Sequence, residues 1–180
     1  MSAIVDFYTD DGTNPSSKTL KDIHAFSSEE LEYHHDYIQW IFPLNEESRA
    51  VPGSPVLTDD DINELLDNLK VEGRLFKSLV LMCRFYGFRV ATPDYDLVEI
   101  DVDPYSPEFK LAAENWLTPF NHNYLRLTRI LKSLCLLGYE DWAFSLFRTL
   151  QVVYVSHNKI IGKRTYEFWC DAVDMPSEPS

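Results

Sequence analysis

The chain has 180 residues, 14% of them aromatic, and a formal net charge of −13. That length can bury a core without staples, and that charge repels phosphate backbones, which excludes a general nucleic-acid binder. Cys83, Cys135 and Cys170 are odd in number, far apart and set among apolar residues, which excludes a disulfide framework and a cysteine zinc site, and no apolar run reaches the roughly 18 residues of a membrane span.

Taken in order, residues 1–17 are polar and carry Gly12, Pro15 and Ser16–Ser17, which predicts a flexible N-terminal arm. Leu20, Ile23 and His24 predict a short helix within 18–26. Ser27 and Glu30 stand at capping-box spacing at the head of a helix predicted over 29–42. On it Leu31, His34, Ile38 and Ile41 form one stripe, Tyr33, Tyr37 and Trp40 the next, and Pro43 stops it. His34 on the apolar stripe reads as a core histidine. Residues 44–57, with Pro52, Gly53 and Pro55, read as a surface loop. Thr58 then caps a helix whose first turn is Asp59, Asp60 and Asp61. Acids there interact favourably with the helix dipole, so the run needs no calcium.

Residues 71–86 predict a helix with Leu75, Leu79, Met82, Cys83 and Tyr86 inward and Gly87 ending it. Val98, Ile100 and Val102 alternate with acids, which predicts a short β-hairpin near 88–103 with its turn at Thr92–Pro93–Asp94. Ser106, Pro107 and Glu108 begin a helix that runs to about Trp116. The clearest helix follows within Asn121–Tyr139, with Leu127, Ile130, Leu131, Leu134 and Leu137 on one face and Arg126, Arg129 and Ser133 on another. A further helix over about 140–155 presents Trp142, Leu146, Leu150 and Val153, and Gly162 precedes a last one with Tyr166, Trp169, Cys170 and Val173. The expected fold is therefore all-α, a single irregular bundle of about seven helices over residues 18–174 with one short hairpin, and a disordered tail over 175–180.

The charge is uneven. Residues 1–120 hold 23 acids and 9 bases, and residues 121–180 hold 6 acids and 7 bases. A cationic partner would be steered to the first part, and the acidic surface itself favours solubility. The N-terminus lacks the basic and apolar regions of a secretory signal, and no basic cluster suggests nuclear import, so a soluble, cytoplasmic protein is expected.

No obvious reaction is encoded. There is no G-x-S-x-G, phosphate loop or dinucleotide fingerprint, and only six glycines to build one. Ser133 lies mid-helix, and the cysteines have no base nearby in sequence. His35 and Gln39 are four apart on the predicted helix, and His122 could join them, but the second histidine of a zinc pair is missing. No catalytic residue, metal site or cofactor is predicted.

Two stretches together carry a family resemblance. LEYHHDYIQWIFPL (31–44) resembles a family signature H-x-Y-I-Q-W-L-F-P, matched by His35, Tyr37, Ile38, Gln39, Trp40, Phe42 and Pro43. NHNYLRLTRILKSLCLLG (121–138) resembles H-N-x-L-R-I-T-R-I-L-K, matched by His122, Asn123, Leu125, Arg126, Thr128, Arg129, Ile130, Leu131 and Lys132. VLTDDDI (56–62) and FYGF (85–88) are similar to its P-L-T-x-x-E-I helix start and F-Y-G helix end. The family is that of the opioid growth factor receptor N-terminal conserved domain, and the resemblance spans about Leu31 to Asp174. It implies an all-α fold and a ligand- or peptide-binding role. The family's animal receptor is described as a perinuclear receptor for an enkephalin peptide. The long C-terminal repeat tail of that receptor is not in this sequence, so a stand-alone, microbial member is expected.

The expected ligand-binding residues are His35, Tyr37, Gln39 and Trp40 on the 29–42 helix and His122, Asn123, Arg126 and Arg129 on the 121–137 helix. Trp40 and Tyr37 would give apolar contact, Gln39 and Asn123 hydrogen bonds, and the two arginines a fork for a carboxylate or phosphate. The competing reading pairs those arginines with acids such as Asp36 or Glu32, since ion-pair networks are commoner than ligand clamps. The expected partner is an anionic small molecule or a short peptide, with the oligomeric state left open. Two alternatives stand beside this reading. One is an enzyme using His35 or His122 as general acid/base on an anionic substrate. The other is a structural protein whose matching residues only hold helices together.

Overall fold

Capped helices with one apolar stripe each fill most of the chain, of which the computed structural model describes residues 2–94 and 97–174. The predicted disordered tail, 175–180, lies outside the described residues. Ten helices and one β-hairpin are described, so the chain is mainly all-α, as its periodicity predicts. The described residues fall into two compact units that divide between Leu81 and Met82.

The first unit holds α1 (Ala3–Thr9), α2 (Leu20–His24), α3 (Ser28–Tyr33), α4 (Ile38–Ile41), α5 (Asp59–Leu66) and most of α6 (Leu69–Tyr86), within which the boundary falls. The N-terminal stretch is not a loose arm. Ser2 caps α1, and Ile4, Val5, Phe7 and Tyr8 are buried. Arg74 of α6 secures the end of α1 by donating from Nη1 to the Tyr8 and Asp10 carbonyls at 2.6 and 3.0 Å. A guanidinium serves well there, because the last helical carbonyls lack partners and carry partial negative charge. Counting polar residues over 1–17 conceals Ile4, Val5, Phe7 and Tyr8, four buried apolar side chains clustered within five residues.

The helix predicted over 29–42 is broken. Ser27 and Glu30 form the expected capping box, but His34 is extended at φ −82 and ψ 138 and ends α3. The chain turns helical again only at α4. Consequently Leu31, His34, Ile38 and Ile41 do not form one stripe, and His35 and Gln39 do not share a helix face. Every residue from Tyr37 to Leu44 is buried. A segment buried all round gives no polar face from which to read a helical period. His34 is half-buried and stacks on Phe26 at 5.1 Å. The loop after Pro43 is tied back by Leu57 N–H donating to the Leu44 carbonyl at 2.8 Å. Thr58 and Asp61 form a capping box on α5 as its acid-rich start predicts.

The second unit contains β1 (Arg89–Asp94), β2 (Leu97–Asp101), α7 (Pro107–Trp116), α8 (Asn123–Leu136), α9 (Glu140–Ile161) and α10 (Lys163–Ala172). The hairpin is antiparallel, with Val90 opposite Ile100. Thr92 to Asp94 belong to its first strand, not to a turn. The hairpin is seated on α9, where Ile100 N–H donates to Ser145 Oγ and Thr149 Oγ1 donates to the Ile100 carbonyl, both at 2.7 Å. This packing supplies what an isolated hairpin lacks. At Gly87, φ is +81, and an added Cβ would come within 2.9 Å of Phe109 Cα, so both conformation and space demand glycine. Leu127, Ile130, Leu131 and Leu134 of α8 are all fully buried, as their spacing predicts. Trp116, Tyr124 and Trp169 continue that core through edge-on ring contacts.

Candidate functional site

The head of α8 carries a dense polar arrangement in the second unit. Trp116, at zero exposure, ends α7 and donates from Nε1 to the Tyr86 carbonyl at 3.2 Å. The chain then crosses Leu117–His122 and enters α8. Asn121 organises that crossing. Its Nδ2 donates to the Asn115 carbonyl at 3.1 Å and to Thr118 Oγ1 at 2.9 Å. Its Oδ1 accepts from the Asn123 backbone N–H at 2.9 Å and from Asn123 Nδ2 at 3.0 Å. An asparagine two residues before an orphan helix N–H is well placed to cap it. The helix therefore begins at Asn123, two residues later than the pattern alone suggests.

Asn123 is fully buried and passes the network inward. Its Oδ1 accepts from Arg126 Nη1 at 3.2 Å and from the Tyr86 hydroxyl at 3.4 Å. Arg126 is only 5% exposed, which departs from the solvated, ligand-facing guanidinium that its face suggests. Arg129 is half-buried, and His122 is exposed with Nε2 3.5 Å from Asn123 Nδ2. Tyr124 donates its hydroxyl to the Thr118 carbonyl at 2.8 Å, and burial pushes its pKa up to about 12. Tyr86, Asn121 and Tyr124 are not among the ligand-binding residues expected from the sequence, where Tyr86 figures only as an inward core residue. Only Asn121 carried a local signal, a helix-capping residue type just before an apolar-periodic run.

The other four expected residues lie in the first unit. Tyr37 is 1% exposed and donates its hydroxyl to the Leu31 carbonyl at 2.9 Å. Trp40 is 6% exposed and meets Phe7 edge-on at 5.3 Å. Gln39 is 4% exposed, and its Oε1 is buried with no hydrogen-bond partner among the described residues. His35 alone of the four is exposed. Three of these side chains thus build core, whatever else they do.

A second polar cluster in this unit has no precedent in the motifs. His24 Nε2 lies 2.9 Å from the fully buried Ser78 Oγ, which donates to the Arg74 carbonyl at 3.2 Å. With the serine proton directed to the Arg74 carbonyl, the tautomer protonated at Nε2 donates to Oγ rather than activating it. Burial, then the charges of Lys77 and Arg74, push the His24 pKa down to about 4. The Tyr8 hydroxyl donates to the Ile41 carbonyl, and burial pushes its pKa up. Burial also raises the thiol pKa of Cys83, Cys135 and Cys170, which keeps thiolate scarce. Among the described residues no three His, Cys, Asp or Glu side chains come together as a metal-holding group, and no helix is long and apolar enough to cross a membrane.

A known family matches this chain over nearly its whole length, and individual relatives over two thirds to three quarters of it. Residues 3–175 match the family model of the opioid growth factor receptor conserved region. Opioid growth factor receptor-like protein 1 of Mus musculus is 31% identical over 139 residues, covering 74% of this chain and 26% of that protein. The opioid growth factor receptor of Rattus norvegicus is 36% identical over 128 residues, covering 71% of this chain and 21% of the receptor. The Homo sapiens receptor is 36% identical over 118 residues, covering 66% and 16%. The matched region is thus about a quarter or less of these relatives' length. No solved structure matches.

Proposed function

Because the chain belongs to the family of the opioid growth factor receptor conserved region, we propose that it is a non-catalytic binding domain for a short peptide or an anionic small molecule. The observation that carries this reading is the α8 head. Asn121, Asn123 and Arg126 form a hydrogen-bonded frame that fixes the start of the helix, with His122 exposed just before it and Arg129 half-exposed within it. A frame of this kind holds side chains in place before a ligand arrives, which limits the entropy lost on binding. In this proposal Arg126 and Asn123 position, whereas Arg129 and His122 meet an acidic group of the ligand. The relatives' printed names describe receptors for an opioid growth factor, which favours a peptide over a metabolite.

Tyr37 and Trp40 take a scaffolding part in the proposal, given their burial, and Gln39 offers a buried acceptor that a peptide N–H would satisfy. The thiols and the His24–Ser78 pair lack the accessible, activated nucleophile that an enzyme reading needs. Calorimetric titration of the purified domain with an opioid peptide and a panel of short acidic peptides tests the proposal. Saturable binding that weakens tenfold or more in Arg129→Gln is expected, since a charged hydrogen bond contributes roughly 1.5–3 kcal/mol. No saturable binding to any of them, with no gain in melting temperature, would overturn it.

A further inference from the structure

The acidic imbalance of residues 1–120 plays no part at the head of α8, and it is dense in the hairpin, where residues 89–103 hold five acids and one base. The hairpin also has an open edge. Ile100 turns both its N–H and its carbonyl to Ser145 and Thr149 of α9, so neither points at β1. Its partner across the ladder is Val90, and two residues opposed in an antiparallel pair turn their main-chain groups both toward each other or both away. The Val90 N–H and carbonyl therefore face away from β2, and among the described residues neither has a hydrogen-bond partner. Native edges are commonly guarded by a charge, a proline or a bulge. Here Pro93 and the register shift after Ala91 close the edge further along. Over residues 89–91 it is unguarded. The Arg89 guanidinium is turned across the ladder, donating from Nε and Nη2 to Asp101 at 2.9 and 3.3 Å, and Ala91 is too short to cover anything.

We infer that the outer edge of β1 takes up an extended, basic segment of a partner protein as a third, antiparallel strand. The residue of that segment opposite Val90 exchanges both main-chain bonds with it. Its side chain lies on the inner face beside half-buried Val90, where a β-branched residue fits. The residue before it falls opposite Ala91 on the outer face, which Arg89, Ala91, Glu99 and Asp101 share and expose. Beyond Ala91 stands its ladder partner Glu99, two strand spacings or about 10 Å from the added strand. A lysine or arginine laid over the short Ala91 side chain spans that distance to the Glu99 carboxylate. The segment taken up thus reads as a basic residue followed by a β-branched one. A second copy of this chain offers that order at Arg89 and Val90, but its Arg89 is engaged by Asp101 and each copy carries −13, so the copies repel. Few main-chain bonds form, so the contact is brief and charge supplies its selectivity.

The test is a nuclear magnetic resonance titration of the full, isotope-labelled chain with the capped peptide Ser-Thr-Lys-Val-Thr-Ser, and with Ser-Thr-Glu-Val-Thr-Ser as its counterpart. Saturable binding of the lysine peptide is expected, with a shift of the Val90 amide and slowed hydrogen exchange at that amide, which exchanges fast in the free chain. N-methylation of the peptide valine removes the donor to the Val90 carbonyl and should weaken binding about tenfold. Glu99→Lys, at an exposed position, should weaken the lysine peptide about fivefold, reverse the preference between the two peptides and leave the melting temperature unchanged. No saturable binding, or binding indifferent to valine N-methylation or to Glu99→Lys, overturns the inference. So does a Val90 amide already slow to exchange in the free chain, which means that the edge is closed. Dimerisation of the free chain that protects this amide also overturns it, because the edge then belongs to a second copy. The readouts are the Val90 amide and Glu99, whereas binding at the head of α8 is read through Arg129, so either proposal can fail alone.

Discussion

The segment 31–44 in the first unit and the segment 121–138 in the second carry equally dense family signatures, yet they fold by different logic. The second is one helix, because Leu127, Ile130, Leu131 and Leu134 fill one face at zero exposure while Leu125 on another face is 66% exposed. The first is two short helices around an extended His34, and its residues 37–44 are buried on every side. A long amphipathic pattern dictates its own secondary structure, whereas a short, wholly buried segment takes the shape its surroundings leave it. The two segments should accordingly respond differently to the same substitution. Thr128→Pro in the middle of α8 removes an N–H and sets the ring against the preceding turn, at a cost of about 3 kcal/mol or more. His35→Pro follows a residue already at the extended geometry that proline prefers before it, and should cost less than Thr128→Pro. Urea unfolding of the two variants makes the comparison directly, and equal losses would break it.

The two arginines sharpen the same contrast within α8. Arg126 is buried and donates to Asn123, so Arg126→Gln should cost about 2–3 kcal/mol, the scale of a lost charged hydrogen bond. Arg129 is half-exposed, and Arg129→Gln should cost no more than about 1 kcal/mol. Spacing alone places both on one face and treats them as equivalent. If both variants melt together, burial is the wrong criterion for separating frame from ligand contact.

Most of the fold was legible because the longer helices announce themselves. Thr58 with Asp61, Ser106 with Pro107, and Gly87 after Tyr86 are local signals whose chemistry does not depend on the rest of the chain. Less of the candidate site was legible, because burial is a tertiary property. Nothing local distinguishes Arg126 from Arg129, and nothing near Tyr86 says that its hydroxyl meets Asn123 across 37 residues. The N-terminal stretch failed for a related reason. Its anchor, Arg74, lies 66 residues from Tyr8 in sequence. Gly12 marks that docking, since an added Cβ would come within 2.7 Å of the Phe7 nitrogen. Gly12→Ala should therefore cost about 1–2 kcal/mol by overpacking, measurable as faster proteolysis of residues 1–17. An unchanged digestion rate would restore the flexible-arm reading.

The smallest expected effect is a pH dependence confined to the first unit. His24 sits against Ser78 with its pKa pushed down to about 4 by burial first and by Lys77 and Arg74 second. An unfolded histidine titrates near 6.5. Between those values the unfolded chain binds a proton that the folded chain refuses, so stability rises with pH across that window. The contribution is complete above about pH 6.5, declines as the pH falls toward 4, and levels off below. Solvent near the half-exposed ring screens it, so the effect should read as a few degrees in melting temperature. The raised pKa values of Tyr124, Cys83 and Cys170 in the second unit lie far above this range and contribute nothing to it. Carboxylates also titrate toward its acid end, and the comparison with His24→Gln isolates the histidine. The variant donates to Ser78 without titrating, so its melting temperature should fall less than the parent's between pH 6.5 and 5. Parallel curves for the two chains would mean that His24 is solvated enough to keep its ordinary pKa, and that the buried cluster is neutral to acid.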